Sequence, residues 1–114
     1  MERDKNRYHL YEGLYIISAT LSEAARAKAI EKINNEVTSR GGEIHKIHEM
    51  GRYKLAHDIN GKKEGLYVLI YFSVNPCHLQ EVYKEYHLHE DLLRFMTLRA
   101  DKVPEEIKFA LQAE

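Results

Sequence analysis

Seven histidines, one cysteine, 17 basic and 18 acidic side chains are the chemistry-bearing material of this chain. His45 and His48 stand three residues apart, which would make them neighbours on a helix but sends them to opposite faces of a strand. The residues around them lean towards β structure, so the pair is not expected to share one metal ion. His87 and His89 fall on one side of an extended segment, but two histidines alone do not make a metal site, and they read as surface histidines. Cys77 follows Pro76 at an expected helix start, where a thiol pKa can fall. No Cys-His-Asn pattern surrounds it, so it reads as a small helix-opening residue. A single cysteine excludes an internal disulfide framework and a multi-cysteine zinc site, and fits a reducing, cytoplasmic compartment. Gly-x-Gly-x-x-Gly, phosphate-loop and Gly-x-Ser-x-Gly patterns are absent from the sequence. Glu90-Asp91 falls at a turn-to-strand boundary and reads as a solvated pair. Nothing assembles an acid, a base and an oxyanion site. The chain is therefore not expected to be an enzyme, to hold a cofactor or metal, or to take a small-molecule substrate.

The basic residues are more informative. Between Arg40 and Gly65 lie Arg40, Lys46, Arg52, Lys54, Lys62 and Lys63, six bases against four acids. Arg52 and Lys54 are two apart, so on a strand they point the same way, with Tyr53 opposite. Such cations can contact phosphate, and a tyrosine can stack on a base. The same pattern also suits a solubilising hairpin surface.

These side chains need a scaffold. Tyr8 to Ile17 is rich in Tyr, Leu and Ile and reads as a strand, which Gly13 weakens or opens to close approach by another backbone. Thr20 with Glu23 makes a capping-box pattern, and Ser22 is a rival cap. Ala25, Ala29, Ile30, Ile33 and Val37 recur at helical spacing, and Gly41 sits where a left-handed helix stop belongs. Glu43 to Ile59 reads as a long strand with a bulge or bend near Met50-Gly51. Asn60 to Gly65 has the composition of a turn. Leu66 to Phe72 is a continuous apolar run, as in a buried central strand. Asn75-Pro76 opens a second helix, whose apolar face is Leu79, Val82, Tyr83 and Tyr86. Asp91 to Arg99 is the last strand. The order β-α-β-β-α-β can place two helices on one face of a four-stranded antiparallel sheet, the α+β ferredoxin-like arrangement. The other face must then meet water, ligand or partner. If Phe95 and Thr97 point to the helices, Arg94, Met96 and Leu98 share that open face, an apolar-and-basic docking surface.

The segment Gly51-Arg52-Tyr53-Lys54-Leu55-Ala56-His57-Asp58-Ile59, followed by Lys62-Lys63-Glu64-Gly65-Leu66-Tyr67, resembles the hallmark of the bacterial ribosomal protein S-six family. Tyr11-Glu12 resembles that family's opening pair. Glu90 to Arg99 resembles its closing strand, an acidic turn leading into Leu-Arg-x-Met. The likeness covers roughly residues 8 to 100. Tyr53 stands where the family often has a further base, and His57-Asp58 replaces its usual Tyr-Pro. The resemblance implies a structural constituent of the small ribosomal subunit. It would bind the central domain of the small-subunit ribosomal RNA jointly with ribosomal protein S-eighteen, as a heterodimer. By position it implies RNA or partner contacts at Arg52, Lys54 and Arg94. Arg99 at the basic end of the last strand joins them, as do Tyr11 of the opening pair and Met96 of the open-face trio. Which of these face RNA and which face protein stays open at this level.

The expected organisation is an N-terminal extension over 1–7, a domain over 8–100 and a tail over 101–114, loosely helical or disordered. No apolar run approaches the ~20 residues needed to span a bilayer. The formal net charge is -1. That excludes a generic polyanion binder. The final fourteen residues hold four acids and two bases, so residues 1–100 sum to +1. The bases gather on the second strand and its turn and recur on the last strand. A local patch with a basic partner is compatible with that balance. The alternative on the same fold is a ligand-binding or oligomerisation module without RNA.

Overall fold

The structure is a computed structural model and describes residues 7–59 and 61–105. Most of the expected extension and tail, including the helical end expected for the tail, lies outside the described residues. Strand β1 (His9–Ser18) leads to helix α1 (Glu23–Thr38), strands β2 (Glu43–Ile59) and β3 (Lys62–Val74), helix α2 (Leu79–His87) and strand β4 (Leu92–Arg99). The four strands form one antiparallel sheet in the order β2-β3-β1-β4. Both crossovers carry a helix, and the expected ferredoxin-like fold is the one observed.

Local chemistry explains the boundaries. Ser22, not Thr20, caps α1: its Oγ accepts the Ala25 N–H at 3.1 Å. Thr20 is turned to Ser18 instead, 3.0 Å between hydroxyls. A cap accepts one of the orphan N–H groups of the first turn. Asn75 Oδ1 accepts the Cys77 N–H at 3.0 Å, and Pro76–His78 makes a short 3-10 turn before α2 begins. Gly51 has φ +119, and the β2–β3 register shifts between Glu49 and Gly51. A side chain there would be strained, so the expected bulge has its glycine. The expected turn is shorter than its composition suggested, because Ile59 already pairs with Lys62.

Tyr11, Tyr15, Ile17, Val68, Ile70 and Phe72 lie on the helix side of the sheet and meet Ala29, Ile30, Ile33, Val37, Val82 and Tyr86. Tyr15 and Tyr86 cross edge to face at 5.4 Å, with their hydroxyls 3.3 Å apart. The Tyr86 hydroxyl also donates to the Ile33 carbonyl at 3.3 Å. Burial pushes both phenols well above the ordinary tyrosine value. Gly13 makes room for this pair. A Cβ there would lie 2.5 Å from the Tyr15 hydroxyl oxygen, so the close approach is by a side chain rather than a backbone. Arg40 ties the two helices, at 2.9 Å from Glu36 and 3.1 Å from Glu81.

Two histidine expectations are corrected. The register also shifts between Ile44 and Lys46, which brings His45 to the same face as His48. His45 Nε2 lies 2.9 Å from Ser73 Oγ, and His48 is opposite Leu69. His89 is buried, at 7% exposure, and its Nδ1 accepts the Asp91 N–H at 3.3 Å. Among the described residues no three His, Cys, Asp or Glu side chains gather as a metal site.

Candidate RNA and partner interface

The strand registers sort the candidate residues by face. On the open side, Glu12 pairs with Tyr71 and Leu98; Leu14 pairs with Leu69 and Met96; Ile16 pairs with Tyr67 and Arg94. Phe95 and Thr97 pair with Tyr15 and Gly13 on the helix side. Arg94, Met96 and Leu98 therefore share the open face as expected. Met96 and Leu98 are each 53% exposed and stand next to one another in that row. Adjacent exposed apolar side chains on an otherwise well-packed sheet mark a contact surface more clearly than scattered ones.

Arg52 pairs with Leu66 and Lys54 with Glu64, so both cations project to the helix side, towards the far end of the β2–β3 hairpin. Both are exposed. Arg52 Nη2 donates to the Ala19 carbonyl at 3.1 Å, and Nη1 lies 3.8 Å from Glu64. One fork of the guanidinium is held and much of the rest meets solvent. Tyr53 projects the opposite way. Its ring crosses Tyr67 edge to face at 5.4 Å, and its hydroxyl donates to the Met50 carbonyl.

Arg99 pairs with Tyr11 and so stands on the side opposite Arg94. It belongs to a different cluster, with Arg7 and His9. Arg7 Nε donates to His9 Nε2 at 3.0 Å. Partial burial, then the charges of Arg99 and Arg7, hold the His9 imidazole below its ordinary value. Tyr11 is buried at 6%, with its ring 5.6 Å from Phe72. It supports the sheet from the helix side and offers no open-face contact.

Besides Arg52, two more of the six bases between Arg40 and Gly65 are engaged within the fold. Arg40 is held by its helix carboxylates. Lys46 Nζ donates to the carbonyls of Pro104 (2.9 Å) and Glu105 (2.7 Å). Ala100 N–H donates to the Leu10 carbonyl. The segment after β4 thus runs across the sheet from β1 to β2. Residue spacing does not reveal this crossing. It also does not single out Glu12, whose carboxylate accepts from the Tyr71 hydroxyl. The usable trace was positional: Glu12 interrupts an apolar strand at an open-face position.

The chain matches the family model described as Ribosomal protein S6 over residues 10–99. It is 59% identical over 106 residues to a small ribosomal subunit protein bS6 of Chlamydia pneumoniae, covering 93% of this chain and 95% of that protein. It is 54% identical over 110 residues to the protein of that name from Chlamydia trachomatis serovar D, covering 96% and 98%. Its fold matches a crystal structure of 30S ribosomal protein S6 from Thermotoga maritima. That match has a TM-score of 0.75 and 30% identity, and covers 82% of this chain and 89% of the other. Sequence match over nearly the whole domain and agreement in fold lead to one statement: this chain belongs to the ribosomal protein S6 family.

Proposed function

We propose that this chain is a structural component of the bacterial small ribosomal subunit, binding central-domain small-subunit ribosomal RNA together with ribosomal protein S-eighteen. A ribosomal role entails a cytoplasmic location. Family membership supports the ribosomal part of the reading. The single observation that carries the rest is the division of the surface. Arg52 and Lys54 project from one side of the β2–β3 hairpin, whereas Met96 and Leu98 lie exposed on the open sheet face. Exposed cations two residues apart suit successive phosphates. An apolar sheet face suits a protein surface. We assign the hairpin cations to RNA and the open face, including Arg94 and Met96, to the protein partner. Arg99, with Arg7 and His9, is a second basic cluster that RNA phosphates would fit.

A near-neutral chain has little long-range attraction for RNA, so a basic partner adds the missing charge. Binding is then cooperative: each protein raises the other's affinity for the RNA by the same factor. The experiment is RNA binding with and without S-eighteen, at several salt concentrations. Cooperative, salt-sensitive binding is the expected result. RNA affinity unaffected by the partner, with free sedimentation of the chain away from small subunits in lysate, would reject the reading. Self-association through the open face with no RNA binding would favour the oligomerisation module.

A further inference from the structure

The groove on the open face is lined by Leu14, Leu69, Met96, Leu98 and one charged residue, Glu12, and has a volume of about 140 Å³. Glu12 is half-buried on a central strand. Its Oε2 accepts from the hydroxyl of Tyr71, a residue that is 5% exposed as a whole. Among the described residues no cation forms an ion pair with Glu12. Lys46, on the same cross-strand row beyond Tyr71, has its ammonium on the Pro104 and Glu105 carbonyls. Arg94 is four residues from Leu98 along β4, roughly 13 Å at strand spacing.

This arrangement has a consequence for whatever covers the groove. An apolar surface laid over it would strip water from the carboxylate and return no charge, which is expensive. A phosphate backbone laid over it would meet a like charge. A segment that is apolar apart from one cation satisfies both parts of the groove. We propose that the groove seats an apolar segment of a protein partner, and that an arginine or lysine of this segment pairs with Glu12. This inference rests on the reading that the open face docks a protein. Tyr71 is a positioning residue. It fixes one carboxylate oxygen from the neighbouring strand and leaves the other lone pairs for the incoming cation. The groove thereby selects among partners, because an apolar segment without a cation leaves a desolvated charge behind.

The test is calorimetric titration of the full chain with S-eighteen across a salt series. The variants are Glu12→Gln, Tyr71→Phe and Met96→Ala, each first checked for a native melting curve. Glu12→Gln should weaken binding at least about tenfold and flatten its salt dependence. Tyr71→Phe should weaken it several-fold, through the loosened carboxylate. Met96→Ala should weaken it with the salt dependence unchanged. Loss with Met96→Ala but not with Glu12→Gln overturns the ion pair and leaves protein docking standing. Full affinity in both variants overturns the docking reading itself. Tighter binding by Glu12→Gln also overturns the proposal, since the carboxylate would then oppose the partner. Dimerisation of the chain alone that Glu12→Gln abolishes would name a second copy as the occupant, and overturn it likewise.

Discussion

Replacing Arg52 and Lys54 together by alanine removes two exposed cations from one side of the hairpin. Neither side chain is part of the buried core, so unfolding free energy should shift by no more than about 0.5 kcal/mol. RNA binding should respond much more. Each phosphate contact contributes about 0.7 to 0.9 to the slope of log affinity against log salt. Losing two contacts should therefore flatten that slope by about 1.4 to 1.8. With about 1 kcal/mol for each exposed contact, affinity should fall roughly thirtyfold near physiological salt. Glu64 gives a test of opposite sign. It lies 3.8 Å from Arg52 Nη1, and both side chains are at least half exposed. A carboxylate there competes with phosphate for the guanidinium. Glu64→Gln should tighten RNA binding by about two- to fivefold, the worth of an exposed ion pair. Equilibrium binding to central-domain RNA with the partner present, at four or more salt concentrations, measures both effects. A double variant that keeps the parental salt slope would refute the assignment, whatever its absolute affinity. A slope that flattens equally for a pair of exposed bases elsewhere would reduce the effect to net charge.

Three further outcomes follow from the packing. Burial first, and then the Glu12 carboxylate, push the Tyr71 phenol up to about 12. The folded state keeps that proton where an unfolded chain would lose it, so this stabilisation is intact below pH 10 and declines as pH rises towards 12. Urea midpoints measured across that range should fall less steeply for Tyr71→Phe, and an identical decline would count against the assignment. Tyr86→Phe deletes the hydroxyl shared by Tyr15 and the Ile33 carbonyl. It should destabilise the fold by about 1 to 3 kcal/mol in chemical denaturation, because the buried Tyr15 hydroxyl loses its partner. Gly13→Ala puts a methyl group 2.5 Å from the Tyr15 hydroxyl oxygen, where Tyr15 is fully buried. A loss of about 1 to 3 kcal/mol is expected, and an unchanged melting curve would show that the ring moves freely.

Periodicity and punctuation were enough to read the element order. The helical recurrence of Ala29, Ile30, Ile33 and Val37 is the buried face of α1. The apolar run Leu66 to Phe72 sits inside a central strand flanked by β2 and β1. The Met50-Gly51 irregularity is a register shift at a glycine of positive φ. These are local properties, set by side-chain spacing and by backbone sterics. Alternation along the last strand was also enough to group Arg94, Met96 and Leu98, once one face had been assigned to the helices.

Other features depend on pairing between distant segments, which spacing along one segment does not encode. The second register shift put His45 and His48 on one face, because a single inserted residue reverses the alternation of all that follows. Tyr11 belongs to a family-like motif and proves to be core, since its position opposite Phe72 turns it towards the helices. Lys46 reads as one more hairpin base until the segment after β4 crosses the sheet and takes its ammonium. Glu12 acquires meaning only beside Tyr71, Leu69 and Met96, which lie more than fifty residues away in the chain. The sequence by itself determined the family, the element order and which residues carry charge. The tertiary structure alone decided which charges are free and which face each one serves. Charge type is written in single residues, whereas availability depends on the neighbours that folding supplies.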